Sequence, residues 1–319
     1  MTLSKLAQLA NVSVSVVSKA FSGKDGISDT MREHVFAVAR EHGCFQQFYH
    51  VPYDKPVIAV IVPEVISLYY VHYIEALGRR IEENGYTMLL SISNFDRQLA
   101  SELVRYYTIH SKVDGILLLS AVNELPENIS TAIVSIGACA PSNTASEVSF
   151  DLSVGVQAAL THLKEKGHVR IAYIGEPFTS NQRELLIKEI EAADLEISPS
   201  CIITSRARFE AAGEEGVRRI WESGERPTAI FGAYGYITRG ILQKLRSMEL
   251  LIPRDVAVLS LDNDPAPLDA VLDVSCVPSE IEARCDAALQ LLQDRMHKKH
   301  PHSPSRIVLP SHFHIGDTT

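Results

Sequence analysis

From residue 57 onward, apolar runs of strand length alternate with amphipathic stretches of helical length, and this alternation constrains the fold most strongly. The apolar runs are Val57–Val62, Tyr86–Ile92, Val113–Leu119, Ala132–Ile136, Val169–Gly175, Thr228–Phe231 and Val256–Leu261. The amphipathic stretches are 71–84, 96–110, 152–166, 181–194, 209–223 and 235–249. This order predicts βαβ units, in which helices cover both faces of parallel sheets. Roughly 220 residues exceed one sheet of about five or six strands, so an α/β fold with two similar lobes is expected.

The composition excludes several classes of protein. The 319 residues are 46% hydrophobic and 22% charged, which is ordinary for a globular chain and argues against wholesale disorder. No apolar run approaches the ~18 residues of a membrane span, and the N-terminus shows no apolar secretory segment. The five cysteines form no C-x-x-C pair and are expected to be reduced thiols. We therefore expect a cytoplasmic protein without membrane association.

The first fifty residues show a different pattern, a series of short helices. Thr2 is suited to cap a first helix, and Asn11 tolerates the left-handed backbone of a tight turn. Ser13 can cap a second helix, while a third begins near Ser28 and stops at Gly43. Helix, short turn, helix and bracing helix form the helix-turn-helix plan, whose second helix enters the major groove of DNA. Residues 1–50 are therefore predicted to be a helix-turn-helix DNA-binding domain.

The expected exposed face of the second helix carries Val14, Ser15, Ser18 and Lys19. Short side chains and hydroxyls can meet a thymine methyl or a base edge, and a lysine can reach a guanine edge or a phosphate. Residues 1–50 hold five Lys and Arg against four Asp and Glu, so one copy should bind DNA weakly and a dimer is required. A three-helix bundle that contacts other proteins fits the same pattern and stays open as the alternative at this point.

The segment TLSKLAQLANVSVSVVSKAFS from Thr2 to Ser22 resembles the opening of the lactose-repressor (LacI/GalR) family, T-hydrophobic-x-x-V-A-x-x-A-G-V-S-x-x-T-V-S-R. The similarity continues without a gap through Thr30-Met31-Arg32. The resemblance implies base contacts from Val14, Ser15 and Lys19. It implies that Thr2, Ser13, Ser18 and Ser28 contact the phosphates or the sugar-phosphate backbone of the DNA.

Segment 51–56 is predicted to be a hinge or linker, because Val-Pro-Tyr-Asp-Lys-Pro holds two prolines and no helical period. In the LacI family this region reads Y-x-P-N-x-x-A-R-x-L and folds into a hinge helix that wedges a leucine into the minor groove. This chain departs from that pattern, since Pro52 stands where the hinge helix should finish and Tyr53 stands near the leucine's place. An apolar wedge is expected from Phe48 or Tyr53 instead.

The resemblance to the family extends over the rest of the chain. Its pieces follow the family order at Val57–Pro63, Val113–Leu118, Asp151–Gly155, Gly167–Gly175 and Ile252–Val256. The implied fold is of the periplasmic-binding-protein type, with two α/β lobes and a ligand cleft between them. The implied effector-binding and dimerisation domain covers 57–319, with lobe 1 at about 57–167 and 278–303 and lobe 2 at about 168–277 and 304–319.

Candidate effector-binding residues come from two sources. Small ligands bind at the carboxyl ends of parallel strands, and Asp262 directly follows the strand Val256–Leu261. The resemblance assigns Asp262 hydrogen bonds to ligand hydroxyls and places Arg183 at the family's ligand-binding arginine. Asp151 begins a helix and either binds the ligand or only caps that helix.

Two tyrosines complete the predicted effector site. Tyr70 either stacks on a sugar-like ring or packs the lobe interface. Tyr234 stands in the segment 232–235, Gly-Ala-Tyr-Gly, where the family often has A-A-N-D. The pocket should therefore be less polar on that side, and the expected effector is a small, sugar-like molecule.

No motif for dinucleotide binding, NTP hydrolysis or α/β-hydrolase chemistry occurs in the sequence, so we expect no catalytic residues and no cofactor. The C-terminal histidines are expected to lie in a solvated loop and not in a metal site; they are His297, His300, His302, His312 and His314. The sequence predicts a homodimeric transcriptional regulator, of the repressor kind, that binds operator DNA and a sugar-like effector. The alternatives are a sugar-binding receptor and, more remotely, a sugar-processing enzyme.

Overall fold

The computed structural model describes residues 1–22, 24–48, 55–111, 113–126, 131–137, 139–140, 145–263, 272–297 and 304–319. The chain divides into two compact units, Met1–Pro56 and Val57–Thr319. Among the described residues, no helix is both long enough and apolar enough to cross a membrane.

The first unit is the predicted set of helices. Its helices are α1 (Leu3–Leu9), α2 (Val14–Ser22), α3 (Asp29–Glu41) and the short α4 (Phe45–Phe48). Asn11 has a φ of 53° in the turn between α1 and α2, the left-handed conformation that its short polar side chain tolerates. The apolar faces of the helices meet in a core that includes the fully buried Leu6, Val17 and Val35.

The second unit alternates strands and helices. Its strands are β1 (Val57–Val62), β2 (Thr87–Ile92), β3 (Gly115–Leu118), β4 (Ala132–Ile136), β5 (Ser146–Asp151), β6 (Ile171–Gly175), β7 (Ile202–Thr204), β8 (Ala229–Gly232), β9 (Ala257–Asn263), β10 (Cys276–Pro278) and β11 (Arg306–Pro310). Its α-helices are α5 (Leu68–Glu83), α6 (Arg97–Arg105), α7 (Leu152–Glu165), α8 (Ser180–Ala192), α9 (Glu210–Glu222), α10 (Gly235–Ser247) and α11 (Ile281–His297).

These strands form two parallel sheets, which confirms the predicted α/β fold. The first sheet has the order β11-β5-β4-β3-β1-β2 and the second the order β10-β9-β8-β6-β7. Strand β1 explains why the apolar runs are continuous. Ile58, Val60 and Val62 pack into one buried cluster, whereas Ala59 and Ile61 pack into another on the opposite face.

Two lobe boundaries differ from those expected from the sequence. Strand β11 pairs with β5 in the first sheet, although residues 304–319 were expected in lobe 2. The chain beyond β11 does join the second lobe as expected, since His314 pairs with Cys276 and the Thr318 carbonyl oxygen accepts from the backbone nitrogen of Val258. Helix α7 was expected in lobe 1 but packs into the second core through Val156, Leu160 and Leu163. The chain therefore passes to the second lobe at the end of β5. The first lobe thus consists of the first sheet with α5, α6 and α11, and the second lobe consists of the second sheet with α7 to α10.

Candidate functional site

In the first unit, the predicted base-reading residues lie on α2. Val14, Ser15 and Ser18 are exposed, and Lys19 is partly exposed with its ammonium beside Gly26. The opposite face of α2 is buried in the core of this unit. The N-terminal half of α2 therefore presents short side chains to solvent, as a major-groove reading helix requires.

The hydroxyls predicted to contact phosphates have a structural role as well. The side chains of Thr2, Ser13 and Ser28 accept hydrogen bonds from the backbone nitrogens of Lys5 at 3.2 Å, Val16 at 3.3 Å and Met31 at 3.2 Å, respectively. These bonds use the oxygen as acceptor, so the exposed hydroxyls of Thr2 and Ser28 keep their protons for a phosphate. The Ser13 hydroxyl also shares a hydrogen bond with the Ser15 hydroxyl at 2.8 Å. Helix capping accounts for all three residues, and their contact with DNA stays a prediction.

Two of the basic residues in this unit are engaged within it. The Arg32 guanidinium donates to the carbonyl oxygens of Lys19 at 3.2 Å, Ala20 at 2.8 Å and Lys24 at 3.2 Å, and so satisfies the C-terminal end of α2. Arg40 lies over the ring of Phe45 at 4.4 Å. Both guanidiniums keep their charge but are less available to donate hydrogen bonds to DNA phosphates.

The structure holds Phe48, one of the two expected minor-groove wedges, against the first unit, and its insertion into DNA stays a prediction. Phe48 packs against the core of the first unit, with its ring 5.7 Å from that of Phe21. The reason is the short helix α4, which folds the aromatic side chains of Phe45 and Phe48 back onto α2 and α3. The other hinge candidate, Tyr53, lies outside the described residues, as do Pro52 and the rest of segment 51–54.

In the second unit, the carboxyl ends of the strands meet at a cleft between the lobes. Two adjoining cavities of about 170 Å³ and about 550 Å³ occupy it. The larger one is of a size that holds small-molecule ligands. Five residues, drawn from both lobes, border both cavities: Tyr69, Tyr70, Phe95, Phe178 and Gln182.

The structure brings three of the predicted effector residues together. Tyr70, Tyr234 and Asp262 all line the smaller cavity. Tyr70 comes from the start of α5, Tyr234 directly precedes α10, and Asp262 lies at the end of β9. Tyr70 and Tyr234 follow a strand of their lobe and Asp262 lies near the carboxyl end of one, as the rule for ligand sites in parallel sheets predicts.

Arg183 and Asp151 line neither cavity. Arg183 donates to the Oγ1 atom of Thr204 at 3.1 Å, because its position on α8 faces β7 whereas Gln182 faces the cleft. Asp151 caps α7, since its Oδ1 atom accepts from the backbone nitrogen of Ser153 at 3.0 Å. Of the two roles considered for Asp151, the structure shows helix capping.

The sequence reasoning missed the charged group at the centre of the cleft. Arg208 of the second lobe donates through its Nη atoms to both carboxylate oxygens of Glu64 in the first lobe, at 2.8 Å and 3.0 Å. Its Nε atom donates to Glu176 at 3.4 Å. Glu176 also accepts from the backbone nitrogen of Phe209 at 2.8 Å and from the hydroxyl of Tyr234. Both glutamates are buried, with 6% of Glu64 and 3% of Glu176 exposed.

The surroundings fix the protonation of Arg208, Tyr234 and Tyr70 in the cleft. The hydrogen bond to Glu64 raises the pKa of Arg208 above its ordinary value, so the guanidinium stays charged. Burial, followed by the hydrogen bond to Glu176, raises the pKa of Tyr234. Burial also raises the pKa of Tyr70, with the neighbouring Tyr69 adding to the effect. Both tyrosines are therefore neutral hydroxyls at physiological pH.

Aromatic rings form much of the remaining wall. Phe95 of the first lobe stacks on Phe178 of the second, with ring centroids 4.4 Å apart and an angle of 21° between the planes. Arg208 lies over the ring of Phe209 at 4.5 Å. Phe95 and Phe209 have φ values of 60° and 59°, a strained backbone for such bulky residues that tends to occur at functional sites. Flat apolar rings beside carboxylates suit a ligand with both apolar faces and hydroxyls.

Two family comparisons agree with these two units. Residues 2–45 match the bacterial regulatory proteins of the lacI family, and residues 160–319 match the periplasmic binding protein-like domain. The first match covers the helices with the exposed face of α2. The second covers most of the second lobe and the C-terminal part of the chain.

Similar proteins of known role are transcriptional regulators. The chain is 24% identical to the HTH-type transcriptional regulator DegA of Bacillus subtilis (strain 168), over 100% of this chain and 98% of that protein. It is 25% identical to the HTH-type transcriptional repressor CytR of Escherichia coli (strain K12), over 96% of this chain and 93% of that protein. A solved complex of the transcriptional regulator CelR with cellobiose superposes with a TM-score of 0.70 at 25% identity, covering 100% of both chains. The chain belongs to the LacI family of bacterial regulatory proteins and is a DNA-binding transcriptional regulator.

Proposed function

We propose that the chain is a homodimeric repressor that binds operator DNA through α2 and is controlled by a sugar-like effector in the cleft. The cleft supports a sugar-like effector, because carboxylates and tyrosine hydroxyls lie beside stacked aromatic rings there. The cellobiose bound by the similar regulator CelR supports a sugar. We assign the cleft a binding role and not a catalytic one, because DegA, CytR and CelR are regulators.

Lys19→Ala is expected to weaken operator binding about tenfold or more, because each good base-edge contact is worth about 1–3 kcal/mol. If Lys19 contacts a phosphate, the salt dependence of binding should also become shallower by about one unit per copy. Fluorescence anisotropy on the promoter nearest the chain's own gene, over a series of salt concentrations, measures both quantities. Binding of sugars, followed by calorimetry, should stay unchanged.

The matched control is Lys188→Ala, which removes the same charge from an exposed position on α8. Operator affinity should be the same for this variant and the wild-type chain. Equal losses in the two variants would mean that Lys19 acts through overall charge only. The absence of any sequence-specific DNA binding by the wild-type chain would contradict the proposed function as a whole.

The dimer is proposed to form along β2. This strand lies at one end of the first sheet and exposes three large apolar side chains: Leu89 at 40%, Leu90 at 37% and Ile92 at 38%. An open strand edge with exposed apolar residues is a hazard that proteins usually cover. A second copy of the chain on this edge would cover it and would supply the second DNA-binding unit that a pseudo-palindromic operator requires. Since operator DNA lies in the cytoplasm, we place the regulator there.

Leu90→Lys is expected to convert the dimer into a monomer, because the two copies would place like charges on a face that must lose water. Operator affinity should fall about 100-fold or more as the joint binding of two half-sites is lost. Sedimentation velocity and anisotropy measure the two effects. The control is Val308→Lys on β11, at the opposite end of the same sheet, where Val308 is 52% exposed. If Val308→Lys is monomeric and Leu90→Lys is still a dimer, the interface lies along β11 and not along β2.

A further inference from the structure

The smaller cavity of the cleft has an unusual balance of charge. Its charged lining residues are three carboxylates, Glu64, Glu176 and Asp262, and one cation, Arg208. The carboxylates thus outnumber the cation among the described residues that line it. An arginine in such a cleft would ordinarily attract carboxylate or phosphate ligands through its planar, bidentate donors.

In this cleft the arginine already has anionic partners. Both Nη atoms of Arg208 donate to Glu64 and its Nε atom donates to Glu176, so each nitrogen faces a carboxylate of the chain itself. Glu64 satisfies the bidentate geometry in the way that a ligand carboxylate would. It is buried and comes from the first lobe, directly after β1 and the intervening Pro63, whereas Arg208 belongs to the second lobe.

Glu176 cannot take over this role, because its position is fixed by other contacts. Its carboxylate accepts from the backbone nitrogen of Phe209 at 2.8 Å and from the Tyr234 hydroxyl, and it approaches Arg208 only through Nε at 3.4 Å. Glu64 is therefore the residue that occupies the side of the guanidinium facing the first lobe. Removing its charge would leave that side to a ligand.

We propose that Glu64 is a specificity-determining residue that makes the cleft reject anionic ligands by occupying Arg208. The proposal rests on the proposed function, and it restricts the part of the effector that enters the smaller cavity to neutral or positively charged groups. Sugar acids and phosphorylated sugars are disfavoured in the smaller cavity, because their charge would meet Glu64 and Glu176 there while Arg208 is already engaged. Arg97 lines the larger cavity but not the smaller one. Neutral rings keep the aromatic walls and the hydroxyl-binding groups.

Glu64→Gln tests this proposal, since it keeps the side chain's size but removes its charge. Calorimetry with inorganic phosphate, at an ionic strength held constant with NaCl, should show binding to this variant at least about tenfold tighter than to the wild-type chain, as expected from removing one nearby charge. Adding Arg208→Gln to the same chain should abolish the gain. The control Glu222→Gln removes a carboxylate from an exposed pair with Arg218 and should leave phosphate binding at the wild-type level.

A folded Glu64→Gln variant with unchanged phosphate affinity would overturn the proposal. If this variant does not fold, the proposal is tested on the wild-type chain, whose affinities for D-glucose, D-glucosamine and D-glucuronate are measured by calorimetry. Binding of glucuronate as tight as, or tighter than, that of the other two overturns the proposal, and a weaker or undetectable affinity for glucuronate and phosphate supports it. A failure of operator DNA to respond to any sugar would count against the proposed function alone, because the phosphate measurement needs neither DNA nor a sugar.

Discussion

Gly240→Ala is expected to destabilise the second lobe by about 3 kcal/mol, at the upper end of what overpacking usually costs. Helices α9 and α10 cross at Gly213 and Gly240 with their backbones in contact. A Cβ atom at Gly240 would lie 2.0 Å from the carbonyl oxygen of Glu210, and one at Gly213 would lie 2.1 Å from that of Ile237. Because the obstacles are backbone atoms, the helices can accept a methyl group only by moving apart.

The single tryptophan of the chain, Trp221, lies in α9 and reports on this lobe by its fluorescence during urea unfolding, while circular dichroism in the same experiment reports on both lobes. The control is Gly78→Ala in α5, where the new Cβ would meet only the flexible end of Met88 at 3.3 Å. At Gly78 the higher helix propensity of alanine should dominate and raise the free energy of unfolding by about 0.5 to 1 kcal/mol. Similar losses in the two variants would contradict the role assigned to the crossing.

The crossing also matters for the cleft. Helix α9 begins directly after Arg208 and Phe209, and α10 begins directly after Tyr234. Separating the helices moves the residues at their N-terminal ends relative to Glu176. We therefore expect the Gly240→Ala variant to bind effector more weakly at temperatures where it is still folded.

Much of the fold was predictable because burial on both faces produces a simple pattern. Strands β1 and β4 have the bounds expected from the sequence, since parallel strands covered by helices are apolar at every position. Strands β7 and β10 have three residues each in the structure, too few for a recognisable run. Their short length also explains why the sequence did not indicate Arg208, which follows β7 at the cleft.

The structure brings three of the five predicted effector residues to one cavity for a related reason. Tyr70, Tyr234 and Asp262 were predicted there because each comes after an apolar run that is easy to recognise, at a position that the resemblance to the LacI family also indicates. Glu64 and Glu176 follow β1 and β6 in the same way, so the same rule would have included them. Arg183 was misplaced because successive residues of a helix point about 100° apart, and the sequence cannot tell which of Gln182 and Arg183 faces the cleft.

Arg208→Met is expected to lower the free energy of unfolding by about 2–3 kcal/mol. Removing one partner of a buried ion pair typically costs about 3–5 kcal/mol, because it leaves an uncompensated charge. The smaller figure of about 2–3 kcal/mol allows for solvent screening, since 34% of the Arg208 side chain is exposed. The charges left behind are those of Glu64 and Glu176, whose side chains are only 7% and 2% exposed. Urea unfolding followed by circular dichroism measures the loss.

The double variant Glu64→Gln/Arg208→Met should recover about 1 kcal/mol or more of that loss, since replacing both partners of a buried pair is far less costly than removing one. The two residues are in contact, so their effects should not add. Arg218→Met serves as the control, because its pair with Glu222 is 51% and 60% exposed and such pairs contribute at most about 1 kcal/mol. If Arg208→Met and Arg218→Met destabilise the chain equally, the buried glutamates are not held by Arg208, and the charge balance proposed for the cleft loses its basis.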